Sequence, residues 1–371
     1  LPETLGDLPA AVLAEEIETP GQGQIRALLT YAGNPVLSVP NGRRLDAALG
    51  KLEFMASIDL YINETTRHAD VILPPRWTLA EDHVDLLPTL YSARNVVRWS
   101  PPVIEPSDSA PADWQILLEL IERLGGGPTG MRPLDRLFRL GRRLGLRWRP
   151  TTTADLLLRL GRYGDHFLPW SRGLNLKKLA QAPHGIDLGP LEPGVTRRVL
   201  HKNRKIQLAA PPLLAALDEL AQVLDQETPD NEVLLIGRRD LRSNNSWMHN
   251  VPRLVSGRER CVLFVHPADA KRAGIGDGEE AMLESRVHRG AVRVRVNNEM
   301  REGVVSLPHG WGHAPSASWQ RTAGAHAGVS VNDWTDDQMV ESVVGRSILN
   351  GVPIRLHPAP AVEQPAAASI A

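Results

Sequence analysis

Short apolar runs that stop abruptly at turn residues open the chain. Ile25 to Tyr31 ends at Gly33-Asn34-Pro35, and Phe54 to Ile62 ends at Asn63-Glu64-Thr65-Thr66. Val71-Ile72-Leu73 stops at Pro74-Pro75. Apolar runs this short, bounded by Gly, Asn and Pro, read as buried strands. Thr65 or Thr66 is placed to cap a short helix before the third strand. Strands alternating with short helices predict a mostly parallel α/β sheet, and such sheets bind ligands in loops at the carboxyl ends of their strands. Gly33, Asn34 and Glu64 occupy those loops.

Helical periodicity follows. Trp114, Leu117, Leu118 and Ile121 make one stripe over Ala112 to Leu124, with Gly125 where a C-terminal cap belongs. Leu134, Leu137, Phe138, Leu144 and Trp148 predict a helix from Leu134 to Trp148, and Arg132, Arg136, Arg139, Arg142, Arg143 and Arg147 crowd its other side. A solvated face explains those arginines; a docking surface for a partner or anionic lipid is the alternative. Thr151 or Thr152 caps a further helix, Ala154 to Leu160. Phe167 to Pro193, rich in Gly and Pro, reads as a long connection. A strand at Ile206 to Leu208 and a helix at Leu213 to Leu224 are expected next, and the polar break Glu227 to Asn231 marks a domain boundary.

Beyond that break the texture turns to β. Val233 to Ile236, Cys261 to Val265, Val304 to Leu307 and Ile354 to Leu356 read as short strands, and Ala281 to Ser285 with Ala291 to Val296 as a hairpin around Gly290. Short strands at such close spacing predict a small barrel. The division expected is an α/β region over residues 1–165, a connector over 166–230, a β-barrel over 231–357 and an Ala/Pro-rich disordered tail over 358–371.

Composition then excludes several classes. The net charge of -1 offers no global positive field for nucleic acid. No apolar run reaches the roughly 18 residues that span a bilayer. No signal segment opens the chain, and its start at Leu1 is read as that of a fragment or processed product. The single cysteine, Cys261, cannot form an internal disulfide or hold an iron–sulfur cluster alone. It reads as an inert, buried β residue. The expectation is a cytoplasmic protein.

Three clusters could carry chemistry. The densest, Gly237 to Asn250, follows a strand and combines Arg238, Arg239 and Arg242 with Ser243, Asn244, Asn245, Ser246 and Trp247. Asn offers donor and acceptor to a heterocycle edge, and Arg offers paired donors to phosphate. Leu307 to His313 contains His309 and His313; its glycines argue against a helical metal site and for close approach of backbone to a ligand. Val331 to Asp337 is either a helix start capped by Thr335 or a loop in which Asn332 reads a base edge. No Ser-His-acid set, P-loop or dinucleotide glycine fingerprint is found.

In order and spacing, these motifs resemble the molybdopterin oxidoreductases related to dimethyl sulfoxide reductase. The resemblance lies in Ala32-Gly33-Asn34-Pro35, in Asp59 to Pro75, in the loop Arg238 to Asn250, in His266 to Ala270 with Gly274 to Gly278, in Gly303 to Gly310 and in Asn332 to Thr335. His184 to Gly189 is similar to a connector of formate-dehydrogenase-like members. The resemblance implies a Rossmann-like α/β region followed by a double-psi β-barrel. It implies molybdopterin guanine dinucleotide holding molybdenum, with Gly33, Asn34 and Glu64 near a nucleotide, and Arg238, Ser243, Asn244, Asn245, Ser246, Trp247, His309 and Asn332 near the pterins. A 4Fe-4S cluster and the protein ligand to the metal are expected only in a preceding part that this chain lacks. A partner protein accepting electrons is implied, with formate as the suggested substrate. Glu81 to Asp85 stands where many relatives carry an acid followed by Gly-Thr. The alternatives are a metal-free relative, like the large iron–sulfur subunit of respiratory complex I, or an interaction module. The polar loop Arg238 to Asn250 speaks against the metal-free reading, because a degenerate site should lose its Asn and Arg groups.

Overall fold

The computed structural model describes residues 6–84, 91–107, 109–145, 149–192, 194, 198–225, 229, 231–313 and 318–360. The chain forms two compact units, one combining residues up to Ile72 with those from Leu208 onward, the other spanning Leu73 to Gln207. Within the first unit, the helices and loops around the first strands are bonded to residues that flank the barrel strands.

The first unit begins with helix α1 (Leu13–Glu18), strand β1 (Ala27–Tyr31), helices α2 (Pro35–Ser38) and α3 (Gly42–Leu49), and strands β2 (Phe54–Ile58) and β3 (Val71–Ile72). All three strands are parallel, in the order β1-β2-β3. Ala14, Ile17, Leu45, Leu49 and Met55 form the core between helices and sheet. Strand β2 ends earlier than its apolar run because Asp59 Oδ1 takes the amides of Leu60 and Tyr61 at 2.6 and 3.1 Å, an Asx turn that bends the backbone. The short 3-10 turn Thr66–His68 starts on Asn63, whose Oδ1 accepts from the amides of Thr65 and Thr66 at 2.9 Å each. Thr65 holds the expected N-cap position, but its side chain makes no capping bond; Asn63 supplies it.

The second unit holds β4 (His83–Val84), β5 (Arg94–Val97), β6 (Trp99–Ser100), α4 (Asp113–Arg123), α5 (Arg132–Arg143), α6 (Pro150–Leu160), α7 (Leu176–Ala180) and β7 (Ile186–Pro190). The supposed connection Phe167 to Pro193 therefore carries regular structure: Asn175 caps α7, and β7 pairs antiparallel with β5. Helix α6 starts at Pro150, which suits a first-turn position, so Thr151 and Thr152 lie inside it. The arginine-rich helix ends at Arg143; Arg147 and Trp148, like Asp85, lie outside the described residues.

The first unit resumes with α8 (Pro211–Leu224), β8 (Glu232–Arg238), α9 (Pro252–Val255), β9 (Leu263–Val265), α10 (Pro267–Ala273), β10 (Glu280–Glu284), β11 (Arg289–Val296), β12 (Val304–Pro308), α11 (Arg321–Ala325) and β13 (Val352–Pro358). Six strands close a barrel in the order β10-β11-β9-β12-β8-β13. Parallel pairs β8–β12 and β9–β11 are joined through antiparallel ones. This is the expected barrel, and the mixed α/β class holds with it. Alternate residues point inward, so Leu235, Leu263, Leu283, Val294, Val305, Leu307 and Ile354 fill the interior. Ile206 to Leu208 forms no strand; Ile206 and Leu208 are exposed. The β10–β11 turn lies at Ser285–His288, where Ser285 N–H donates to His288 O at 2.8 Å, and Gly290 sits within β11. A Cβ on Gly290 would lie 3.0 Å from the Trp334 ring.

The segment 331–337 joins the barrel to the α/β layer. Asn332 Nδ2 donates to Leu37 O at 2.7 Å, Asn41 Nδ2 to Asp337 Oδ1 at 2.8 Å, and Arg44 pairs with the buried Asp337. Thr335 caps no helix; its hydroxyl donates to Asn332 O at 3.1 Å. Trp334 is fully buried, and its Nε1–H donates to Leu283 O at 3.1 Å. Trp334→Phe should cost about 0.5–1.5 kcal/mol by removing that hydrogen bond. Trp334→Ala should cost about 3–5 kcal/mol, since it also leaves a cavity. Denaturant midpoints at constant slope would show the ordering; equal losses would contradict it.

Candidate functional site

Strands β8 and β12 run parallel, with Arg238 opposite Pro308. Both chains therefore leave the barrel at one rim, and His309 N–H donates to Arg238 O at 2.9 Å. The loops that follow, 239–250 and 309–313, are in backbone contact. Gly310, at φ 100, lies so close to the Asn245 carbonyl that any Cβ would collide with it. Gly312, at φ 107, is likewise pressed against Ser330, 2.6 Å from where a Cβ would stand. Only glycine meets both demands at these positions.

Within the longer loop, Asn244 and Asn245 both adopt the left-handed conformation, at φ 42 and 60, which Asn tolerates better than most residues. Arg239 donates to the side-chain oxygen of Asn245. Arg239, Arg242, Asn244, Asn245 and Trp247 are exposed, and Ser246 and His309 half-buried. Burial, then the charge of Arg239, lowers the His309 pKa below its ordinary value.

Other predicted residues turn inward. The Arg238 guanidinium donates to the carbonyls of Arg260 and Val262 at 3.2 and 2.7 Å and lies over the Phe264 ring at 3.8 Å. Burial pushes its pKa down to about 10. Its side chain is half-buried and engaged with barrel carbonyls. Asn332 is buried against Leu37, away from the rim. Cys261 is buried, with its thiol pushed up to about 11 by burial, as suits an unreactive side chain.

Ser243 and Glu64 are also interior, and they end up in one hydrogen-bonded chain. Ser243 Oγ donates to Asn245 O and contacts His249 Nε2 at 2.6 Å. His249 Nδ1 lies 2.9 Å from His313 Nε2, and His313 Nδ1 lies 3.2 Å from Glu64 Oε1. Asn34 Nδ2 donates to Glu64 Oε2 at 2.7 Å, and Thr65 Oγ1 donates to Asn34 Oδ1 at 2.7 Å. Ser243, His249, His313, Glu64 and Thr65 are all buried. The chain runs from the barrel rim to the loops after β1 and β2, where Gly33 and Asn34 stand half-buried.

Desolvation, then the charge of His313, drives the His249 pKa down to about 4. Burial works to raise the Glu64 pKa, but the hydrogen bond and charge of His313, with the Asn34 amide, bring it below its ordinary value. A Ser-His-His-Glu chain thus exists in space although its ends are far apart in sequence, where Glu64 and His313 stand 249 positions apart. Its serine is buried and serves no nucleophilic role. His249 and His313 went unassigned as site residues because only the folded rim brings them together. Among the described residues, no group of three or more His, Cys, Asp or Glu could hold a metal ion.

Two family models match the chain. The molybdopterin oxidoreductase model covers residues 3–123, and the molydopterin dinucleotide binding domain model covers residues 233–353. The chain is 23% identical to the alpha subunit of an F420-dependent formate dehydrogenase from Methanocaldococcus jannaschii, over 80% of this chain and 40% of that protein. It is 29% identical to a proposed dimethyl sulfoxide reductase from Halobacterium salinarum, over 72% of this chain and 30% of the catalytic polypeptide of that enzyme. It therefore spans less than half the length of these relatives. Acetylene hydratase from Pelobacter acetylenicus shares the fold, with TM-score 0.64 and 17% identity, over 94% of this chain and 46% of that one. The chain belongs to the molybdopterin oxidoreductase family and carries its dinucleotide-binding domain.

Proposed function

We propose that the rim loops 239–250 and 309–313, together with Gly33 and Asn34, form part of the cage for molybdopterin guanine dinucleotide in a molybdenum oxidoreductase that acts on formate. The observation carrying this reading is the rim itself. Two loops are held backbone to backbone, while the side chains of Asn244, Ser246, Trp247 and His309 stand at its surface.

The donor set fits the group. Asn244 and Asn245 offer amides that both donate and accept, as the edge of a pterin or guanine requires. Arg239 and Arg242 present planar donors to phosphate. Trp247, 63% exposed, offers a flat apolar face. Ser318 is buried with its hydroxyl lacking a hydrogen-bond partner among the described residues, beside the pocket lined by Trp319, Gln320 and Arg321. A polar ligand there would satisfy it. Arg238, Ser243, Glu64 and Asn332 support the cage from behind.

When bound, molybdenum supplies two-electron exchange with the substrate; the protein's share is binding, orientation and electrostatics. The His309 ring, whose neutral form is favoured by burial, offers a donor and an acceptor at the rim. Electrons would pass to a partner protein by way of a 4Fe-4S cluster on the part of the protein outside this chain. Formate as substrate rests on the formate dehydrogenases among the relatives, which include a second one, from Methanococcus maripaludis at 24% identity, and on the segment His184 to Gly189.

In the complete protein, Asn245→Ala should lower molybdenum and pterin content several-fold, as expected for about 1 kcal/mol or more of lost hydrogen bonding. Gly310→Ala should lower it further by forcing the two loops apart. Folded, complete protein containing neither molybdenum nor pterin would overturn the cofactor reading. Loaded protein unable to oxidise formate with an artificial acceptor would overturn the substrate alone.

A further inference from the structure

The buried chain between the rim and the α/β layer has a direction, set by counting protons. Ser243 has one hydroxyl hydrogen, and it goes to the Asn245 carbonyl, which can only accept. His249 must then donate from Nε2 to Ser243 Oγ. A neutral His249 accepts at Nδ1, and His313 Nε2 is the group that faces it. At the other end, one Glu64 oxygen takes the Asn34 amide and the other faces His313 Nδ1. Glu64 is kept ionised by its lowered pKa; against that carboxylate every bond is satisfied only if His313 donates from both ring nitrogens, as a cation.

We propose that His313, His249 and Glu64 are positioning residues: one proton held on His313 against Glu64 orients a one-way hydrogen-bond chain that ends on the Asn245 carbonyl and sets the shape of the rim loop. This rests on the cofactor reading above and adds to it the groups that pre-organise the loop. They touch no ligand themselves. Packing supports the arrangement: the His249 ring lies 4.3 Å from Trp311, tilted by 48°, and 5.1 Å from His313, edge-on at 83°.

A second proton is excluded from the pair. Protonating His249 would place two cationic rings with their nitrogens 2.9 Å apart. The other charged groups facing His249 are Asp240, which favours its protonation, and Arg260, which opposes it; the Gly310 carbonyl also faces the ring. The folded His249 pKa, about 4, lies below the ordinary value of 6.5. The unfolded chain therefore binds more protons between these values, and stability rises with pH through that window. The contribution is complete above the ordinary value and is lost as pH falls toward the folded one. The lowered Glu64 pKa extends the loss to lower pH still.

The test uses the complete protein with nitrogen-15-labelled histidine. At pH 7, two-bond nitrogen–proton correlations should show both His313 nitrogens protonated and His249 neutral with its proton on Nε2. Glu64→Gln should return His313 to a neutral ring and reduce the pterin retained through gel filtration roughly tenfold. His313→Gln should reduce it as much, and the double variant no further, because each change removes the same proton. Wild-type retention should fall as the pH approaches about 4, where a second proton enters the histidine pair of the folded protein. A neutral His313 in the wild type, or losses that multiply in the double variant, would overturn the proposal. If a variant fails to fold, the wild-type correlations decide it. A wild-type protein without pterin but with cationic His313 would overturn the cofactor reading and keep the relay as an organiser of the loop.

Discussion

The parallel pairing of β8 with β12 is the constraint on which the rest of the site depends. Parallel strands end at the same edge of a sheet, so two loops separated by about sixty residues of chain emerge side by side, each strand's final residue opposite the other's. Glycine at 310 then lets the second loop settle against the first with no side chain between them. An antiparallel arrangement of the same two strands would send these loops to opposite ends of the barrel.

Two sets of polar contacts turn that rim into part of a larger assembly. One is the segment 331–337, with Asn332 on Leu37, Asp337 on Asn41 and Arg44, and Trp334 plugged into the barrel. The other is the chain from Ser243 to Asn34. Buried polar groups are costly when unsatisfied and specific when fully paired. Each member of the chain has a partner, so the contacts favour one register of barrel against α/β layer over any slipped alternative.

Much of the fold was legible. The strands of both layers stood out because short apolar runs ended at Asn, Gly and Pro, and the helix Asp113–Arg123 because its stripe was regular. The misread places share a cause. Phe167 to Pro193 is dense in Gly and Pro, yet it contains a helix and a strand stabilised by Asn175 and by pairing with β5. Ile206 to Leu208 has strand-forming side chains but pairs with no strand among the described residues, and propensity alone cannot make a sheet. Gly290 reads as a turn residue, yet it is a strand residue made small by the Trp334 ring.

What the sequence by itself determined is the kind of chemistry available: Asn, Arg, Ser and Trp concentrated after one strand, His and Gly after another, and Asn with Glu after two more. Local composition records which groups a loop can offer, because turn residues and polar clusters are read within a few positions. The tertiary structure alone decided which of them face outward. Arg238 and Glu64 are polar, like Arg239 and Asn244, but the packing of the barrel end and of the turn after β2 took the first pair into the protein and left the second pair at the surface. Pairing across 249 positions also joined His313 to Glu64. No local pattern encodes such a contact, because it depends on which strands close the barrel and on which layer packs beneath it.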